Sequence, residues 1–209
     1  MRAAVIIALV FAAASAGSAA PAPAAGPLED LTNEIIHGGS LDGTPPSAYA
    51  WSPDGARLAY MRRPEAAKKP GLRILEIASN TTTSLSQESI TSFDWSPSGD
   101  AIAAVSSGDL YLIPVGVQPA TAPRRLTTTD AVESDARFSP DGMMIGFVRD
   151  HNIWALDLAT LRERRITGGN TEGVINGEID WVYEEEFEIS KGWWWSPGSS
   201  LIAYLQFDQ

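Results

Sequence analysis

Apolar residues fall in short runs along most of this chain, and each run is introduced by the same polar punctuation. Trp51-Ser52-Pro53-Asp54-Gly55 leads to Leu58-Ala59-Tyr60, and Trp95-Ser96-Pro97-Ser98-Gly99 to Ile102-Ala103-Ala104-Val105. Phe138-Ser139-Pro140-Asp141-Gly142 leads to Ile145-Gly146-Phe147-Val148, and Trp195-Ser196-Pro197-Gly198 to Leu201–Leu205. In each unit the aromatic closes one strand. Pro then fixes φ in a tight turn, Gly takes the position that tolerates positive φ, and an apolar strand begins. Two further strand-like runs follow: Leu72–Ile77 and a polar stretch to Leu85, Leu110–Val115 and Arg124–Leu126, Ile153–Leu158 and Arg164–Ile166. Four antiparallel strands in about forty residues is the size of a propeller blade. An unrelated sandwich would not return the same turn to the same place. The predicted fold is therefore all-β, a partial β-propeller of about three four-stranded blades plus the start of a fourth, across residues 47–209. The fourth turn lacks Asp-Gly, which weakens the turn expectation there alone.

The spacing of the repeats adds a site. Trp51 to Trp95 is 44 residues, Trp95 to Phe138 is 43, and Phe138 to Trp195 is 57. The third interval is longer by about fourteen, and the run Asp180-Trp181-Val182-Tyr183-Glu184-Glu185-Glu186-Phe187 falls inside it. An insertion between the last strand of one blade and the first of the next is expected to project from one face, where binding loops sit. Three blades and a fragment leave raw sheet edges. The sequence is accordingly expected to be the N-terminal part of a longer protein.

The first twenty residues carry a different pattern. Arg2, the apolar run Ala3–Ala14 and the small residues Ser15–Ala20 predict a secretory signal peptide, too short in its apolar part to span a bilayer. Residues 21–46 read as a Pro-Ala linker, a short helix over Leu28–His37 stopped by Gly38-Gly39, and a loop. The expected location is periplasmic or secreted, with no membrane attachment after cleavage. The chain contains no Cys, so neither disulfides nor a lipid-bearing Cys is available. A formal charge of −11 argues against nucleic acid as a partner and is compatible with basic or amine-bearing ligands.

The acidic run sits among large apolar residues, Ile179, Trp181, Val182 and Tyr183 before it, Phe187 and Ile189 after. These neighbours are expected to bury and hold the carboxylates beside a partly dry wall, where like charges repel unless a cation joins them. If Asp180 caps a short helix, Glu185 and Glu186 diverge by about 100° and can grip a small cation from two sides. A primary ammonium, with three donors and a compact charge, suits them. No His or Cys stands nearby for zinc, and the oxygen-rich Asp/Asn/Gly loop of a calcium site is missing. No metal and no cofactor are expected. Paired-carboxylate glycoside chemistry needs acids facing each other across about 5 Å or more, which neighbours on one helix do not provide. No Gly-x-Ser-x-Gly elbow is present, and His37 and His151 sit in the leader helix and a blade turn.

The segment from Asp180 to Phe187, followed by Trp194-Trp195-Ser196-Pro197 and Ile202-Ala203-Tyr204, resembles the N-terminal propeller domain of the dipeptidyl peptidase IV family. Arg165-Ile166-Thr167 and Asn176-Gly177 fall where that family has similar residues, and the resemblance runs from about residue 28 to the end. It implies an eight-bladed propeller followed by an α/β-hydrolase domain with a Ser-Asp-His triad, releasing dipeptides with Pro or Ala second. It further implies that Glu185 and Glu186 bind the α-amino group of a peptide N-terminus, with Tyr183 and Trp181 as wall residues. The hydrolase domain is missing from this chain, which alone is not expected to hydrolyse anything, so the chain would act as the substrate-selecting half of a serine exopeptidase. The resemblance leaves a homodimer of the longer protein open, and no motif here places the family's carbonyl-binding arginine. A reading from another class is a non-enzymatic periplasmic propeller that binds peptide or protein.

Overall fold

The computed structural model describes residues 46, 48–62, 71–116, 122–168, 173–187, 189 and 191–208. The predicted signal peptide, the linker and the helix over Leu28–His37 lie outside the described residues. The compact unit Thr44–Gln209 holds all the elements below. Blade one is β1 (Ala48–Trp51), β2 (Arg57–Arg62), β3 (Gly71–Glu76) and β4 (Thr81–Glu88). Blade two is β5 (Ile90–Trp95), β6 (Ala101–Ser106), β7 (Asp109–Pro114) and β8 (Arg124–Arg125). Blade three is β9 (Glu133–Phe138), β10 (Met144–Arg149), β11 (Asn152–Asp157) and β12 (Glu163–Arg165). Each is an antiparallel meander whose strands pair in chain order, as the repeat predicts.

The turn chemistry holds in all four repeats. Gly55, Gly99 and Gly142 have φ near +70°, and their amides donate to the carbonyls of Ser52, Ser96 and Ser139 at 2.8–2.9 Å. In the fourth repeat Ser199 occupies that position at φ 59° and makes the same 2.9 Å bond to Ser196. Its hydroxyl also accepts from the Asp141 amide at 3.0 Å, a contact that glycine could not make. The serine that opens each turn accepts from the strand beyond it: Arg57, Ala101, Met144 and Leu201 amides reach Ser52, Ser96, Ser139 and Ser196 Oγ at 2.9–3.0 Å. These bonds are why Ser recurs with Pro and Gly.

Strands of the repeat read as unbroken apolar runs because both faces bury. Along β6, Ile102 and Ala104 pack on blade one, while Ala103 and Val105 pack on blade three. Along β10, Ile145 and Phe147 face blade two, and Val148 joins Ile153 and Trp193 beneath blade four. The alternation of side chains along a strand makes one apolar run serve two neighbours. Polar clips join successive first strands. Trp95 Nε1 donates to Ala50 O at 3.1 Å and Trp195 Nε1 to Arg137 O at 3.4 Å. Phe138 has no such donor, and there the link runs through its backbone, whose N–H donates to Asp94 Oδ2 at 2.9 Å.

Asp94 is half-buried, and the loss of solvent pushes its carboxyl above the usual range, against the Phe138 amide and the charges of Arg137 and Lys191. A raised folded-state pKa means the neutral acid is the form the fold prefers. The associated stability is complete below the unfolded pKa and is lost as pH rises through the folded one. Asp94→Asn keeps an acceptor for Phe138 N–H and is neutral at every pH. Its melting temperature is expected to exceed the wild type near neutrality and to converge with it in acid, below the carboxylate range. A gap that widens on acidification would contradict this.

Blade four departs from expectation. β13 (Val174–Asn176) pairs with β16 (Gln206–Asp208), and β14 (Trp193–Trp195) pairs with β15 (Ile202–Tyr204). Between β15 and β16, Leu205 accepts from Gly177 N at 2.9 Å and donates to Gly192 O at 2.8 Å. The ladder is thus continuous across Leu205. β13 and β14 are two halves of one first strand, and the extra fourteen residues, 178–191, loop out of its middle. The insertion therefore lies within a strand, correcting the expectation that it lies between blades.

Candidate functional site

The place where the strand opens is prepared in the other blades. β9 slips register between Ser134 and Arg137, where Asp135 takes φ 48°, and Asp135 stands four residues before its Ser-Pro turn as Gly192 does. β5 slips in the neighbouring step, between Ile90 and Ser92. Bulges add a residue to one strand and bend it. Blade four expands the same irregularity into an excursion. Its neck is two glycines in backbone contact: a Cβ on Gly192 would fall on the carbonyl of Gly177, and one on Gly177 would come within 2.7 Å of Ile153.

The excursion carries the short helix α1, Trp181–Phe187. Asp180 caps it as expected: its Oδ1 accepts from Val182 N at 2.9 Å, and its carbonyl accepts from Tyr183 and Glu184 N at 3.0 and 3.1 Å. Of the apolar neighbours expected to bury, Ile179 is half-buried, the Phe187 side chain lies outside the described residues, and the other four are open. Trp181 is 69% exposed and Tyr183 43%, with Val182 and Ile189 also open. A helix of seven residues standing outside its sheet has no layer over it within the described residues. Tyr183 packs on Phe207 of β16, with ring centres 5.2 Å apart.

Glu184, Glu185 and Glu186 are all exposed, and none of their carboxylates makes a hydrogen bond or ion pair with the described residues. They differ in what lies beside them. A cleft of about 490 Å³ opens at the base of the excursion, between Thr91 of β5, Ser134 and Asp135 of β9, and Glu178, Ile179 and Glu184. Glu184 lines it; Glu185 and Glu186 do not. Burial raises the Asp135 carboxyl above its ordinary range, while Arg137, bonded to both its oxygens, and Lys191 oppose the rise. The cleft is thus a carboxylate-rich hollow on the edge where the bulged strands of blades two, three and four meet. Among the described residues no group of His, Cys, Asp and Glu has the arrangement of a metal site.

Sequence reasoning passed over Glu184, Glu178, Asp135 and Arg137. Glu184 was within reach of a helical-wheel argument, since neighbours on a helix face different ways. Asp135 and Arg137 became visible only with the bulge, which leaves no compositional trace.

Residues 116–209 match the family model described as the dipeptidyl peptidase IV N-terminal region. Dipeptidyl peptidase 4 of Sus scrofa is 37% identical over 90 residues, 41% of this chain and 12% of that protein. Dipeptidyl aminopeptidase B of Saccharomyces cerevisiae is 38% identical over 76 residues, 35% of this chain and 9% of that protein. The matched stretch thus spans about a tenth of the length of these curated relatives. Among solved structures, TolB from Acinetobacter baumannii superposes with a TM-score of 0.52 at 20% identity, covering 64% of this chain and 34% of that one, which bears on the fold as a partial β-propeller. Blade three, the split strand and the acidic helix all lie inside the matched residues, and over them the chain is similar to the N-terminal region of the dipeptidyl peptidase IV family, as a dipeptidyl peptidase-related propeller portion.

Proposed function

We propose that this chain is the substrate-selecting propeller portion of an exported serine exopeptidase of the dipeptidyl peptidase type, and that its acidic helix receives the free amine of a peptide N-terminus. The observation that carries the reading is the state of Glu185 and Glu186: adjacent carboxylates on a capped helix, held out from a strand by a two-glycine neck, with no partner among the described residues. Adjacent acids approach one ammonium from two directions, and each charge-assisted hydrogen bond is short and strong. A site that grips the amine measures a fixed distance to whatever bond is cleaved, which makes the pair a ruler for exopeptidase action. On this reading the serine chemistry belongs to a hydrolase domain of a longer protein, as the sequence resemblance implies. Export rests on the apolar, Arg2-led N-terminus.

The test compares two ligands on the full 209-residue chain: an Ala-Pro-Ala tripeptide with a free N-terminus, and its N-acetylated twin. Saturable binding of the first, read by NMR shifts, with none by the second is expected. Equal binding of both removes the amine from the account.

A further inference from the structure

The excursion leaves and rejoins a strand of blade four, yet the side chains that fix its ends belong to blade three. At the return, the guanidinium of Arg137 donates to Asp135 Oδ1 and Oδ2 at 2.9 and 2.6 Å and, through its remaining terminal nitrogen, to the carbonyl of Trp193. It also lies 4.9 Å from the centre of the Trp193 ring. That ring is fully buried over Gly146, where a Cβ would come within 2.5 Å of it. At the exit, Gly177 lies against Ile153, and Glu178 Oε2 is 2.6 Å from Nδ1 of His151, in the turn between β10 and β11. His151 of the exit pair is largely exposed, so solvent screens the contact and it contributes little. The return is different: the Arg137 side chain is only 14% exposed, so its charge-assisted bonds are poorly screened.

We propose that Arg137 is the positioning residue of the acidic helix: by tying the Trp193 carbonyl to Asp135 it fixes where the excursion rejoins its strand, and so how Glu185 and Glu186 are presented. Lysine cannot replace it, because one ammonium cannot span two carboxylate oxygens and a carbonyl in a single plane. The consequence for amine binding rests on the function proposed above; the clamp itself does not.

The test is Arg137→Lys in the full chain, with two readouts. Backbone hydrogen exchange is followed in residues 178–192, with β2, β3, β6 and β7 as internal control. Affinity is followed for the free-amine tripeptide and its acetylated twin. Exchange in the excursion is expected to rise about tenfold or more with the control strands unchanged, and free-amine affinity to fall about tenfold to hundredfold, as for a modest misplacement of binding groups. Unchanged exchange in 178–192 overturns the clamp whatever the peptides do. Raised exchange with undiminished amine affinity overturns the link to presentation. A wild type that binds both peptides alike sinks the amine reading alone, and the clamp is then judged from exchange. Should Arg137→Lys also loosen the control strands, the double variant Arg137→Gln with Asp135→Asn leaves no buried charge unpaired. Its excursion must still exchange faster than wild type, and protection equal to wild type overturns the proposal.

Discussion

Glu185→Gln and Glu186→Gln are each expected to weaken binding of the free-amine tripeptide by about tenfold to hundredfold, leaving the acetylated peptide unaffected. Glutamine keeps the size and one acceptor but loses the charge. A hydrogen bond to a charged partner contributes about 1.5–3 kcal/mol, which sets that range. A larger loss would require the site to be dry, and both side chains are exposed in this chain. Glu184→Gln belongs in the same assay, because Glu184 alone of the three lines the cleft. A loss confined to Glu184→Gln would move the amine into the cleft beside Asp135. No loss in any of the three would end the ammonium reading.

The scaffold was legible in the sequence because its turn is a chemical requirement repeated four times. Ser, Pro and a residue able to take positive φ are each needed at a fixed place, and a period near 43 residues shows itself without any structure. The fourth turn shows what the pattern encodes. Ser199 satisfies the same bond as the glycines, so the requirement is the left-handed backbone, for which glycine is only the easiest occupant.

The excursion was legible as extra length but not as a split strand. Val174–Asn176 and Trp193–Trp195 are each too short to declare themselves as half of one strand. What unites them is Leu205, bonded to both glycines of the neck. The exposure of Trp181 and Tyr183 was missed for a related reason. Apolar neighbours predict burial only when a partner layer is at hand, and sequence spacing does not say whether one is. Asp180 was foreseen because capping is local, decided by residues within one turn.

Gly146→Val is expected to destabilise the chain by about 3 kcal/mol or more, as overpacking of a rigid site does. For a unit of this size that lowers the melting temperature by on the order of 10 °C. The sign is informative. Glycine inside a strand is ordinarily a weakness, and a side chain there would gain roughly 0.5–1 kcal/mol. Here a Cβ would stand 2.5 Å from Trp193 Cη2, 3.0 Å from its Cζ3 and 3.1 Å from Trp195 Cζ2. Neither indole can yield readily. Trp193 is held beneath Arg137 and meets Trp195 edge to face at 6.0 Å. Denaturant unfolding of Gly146→Val, Trp193→Leu and the double variant closes a cycle that isolates the contact. Leucine vacates part of the space that valine needs, so the double variant should be more stable than the sum of the two single losses. Additive losses, or a valine variant as stable as wild type, would mean that Trp193 is not seated over Gly146. The return limb of the acidic excursion would then lack the floor on which its position depends.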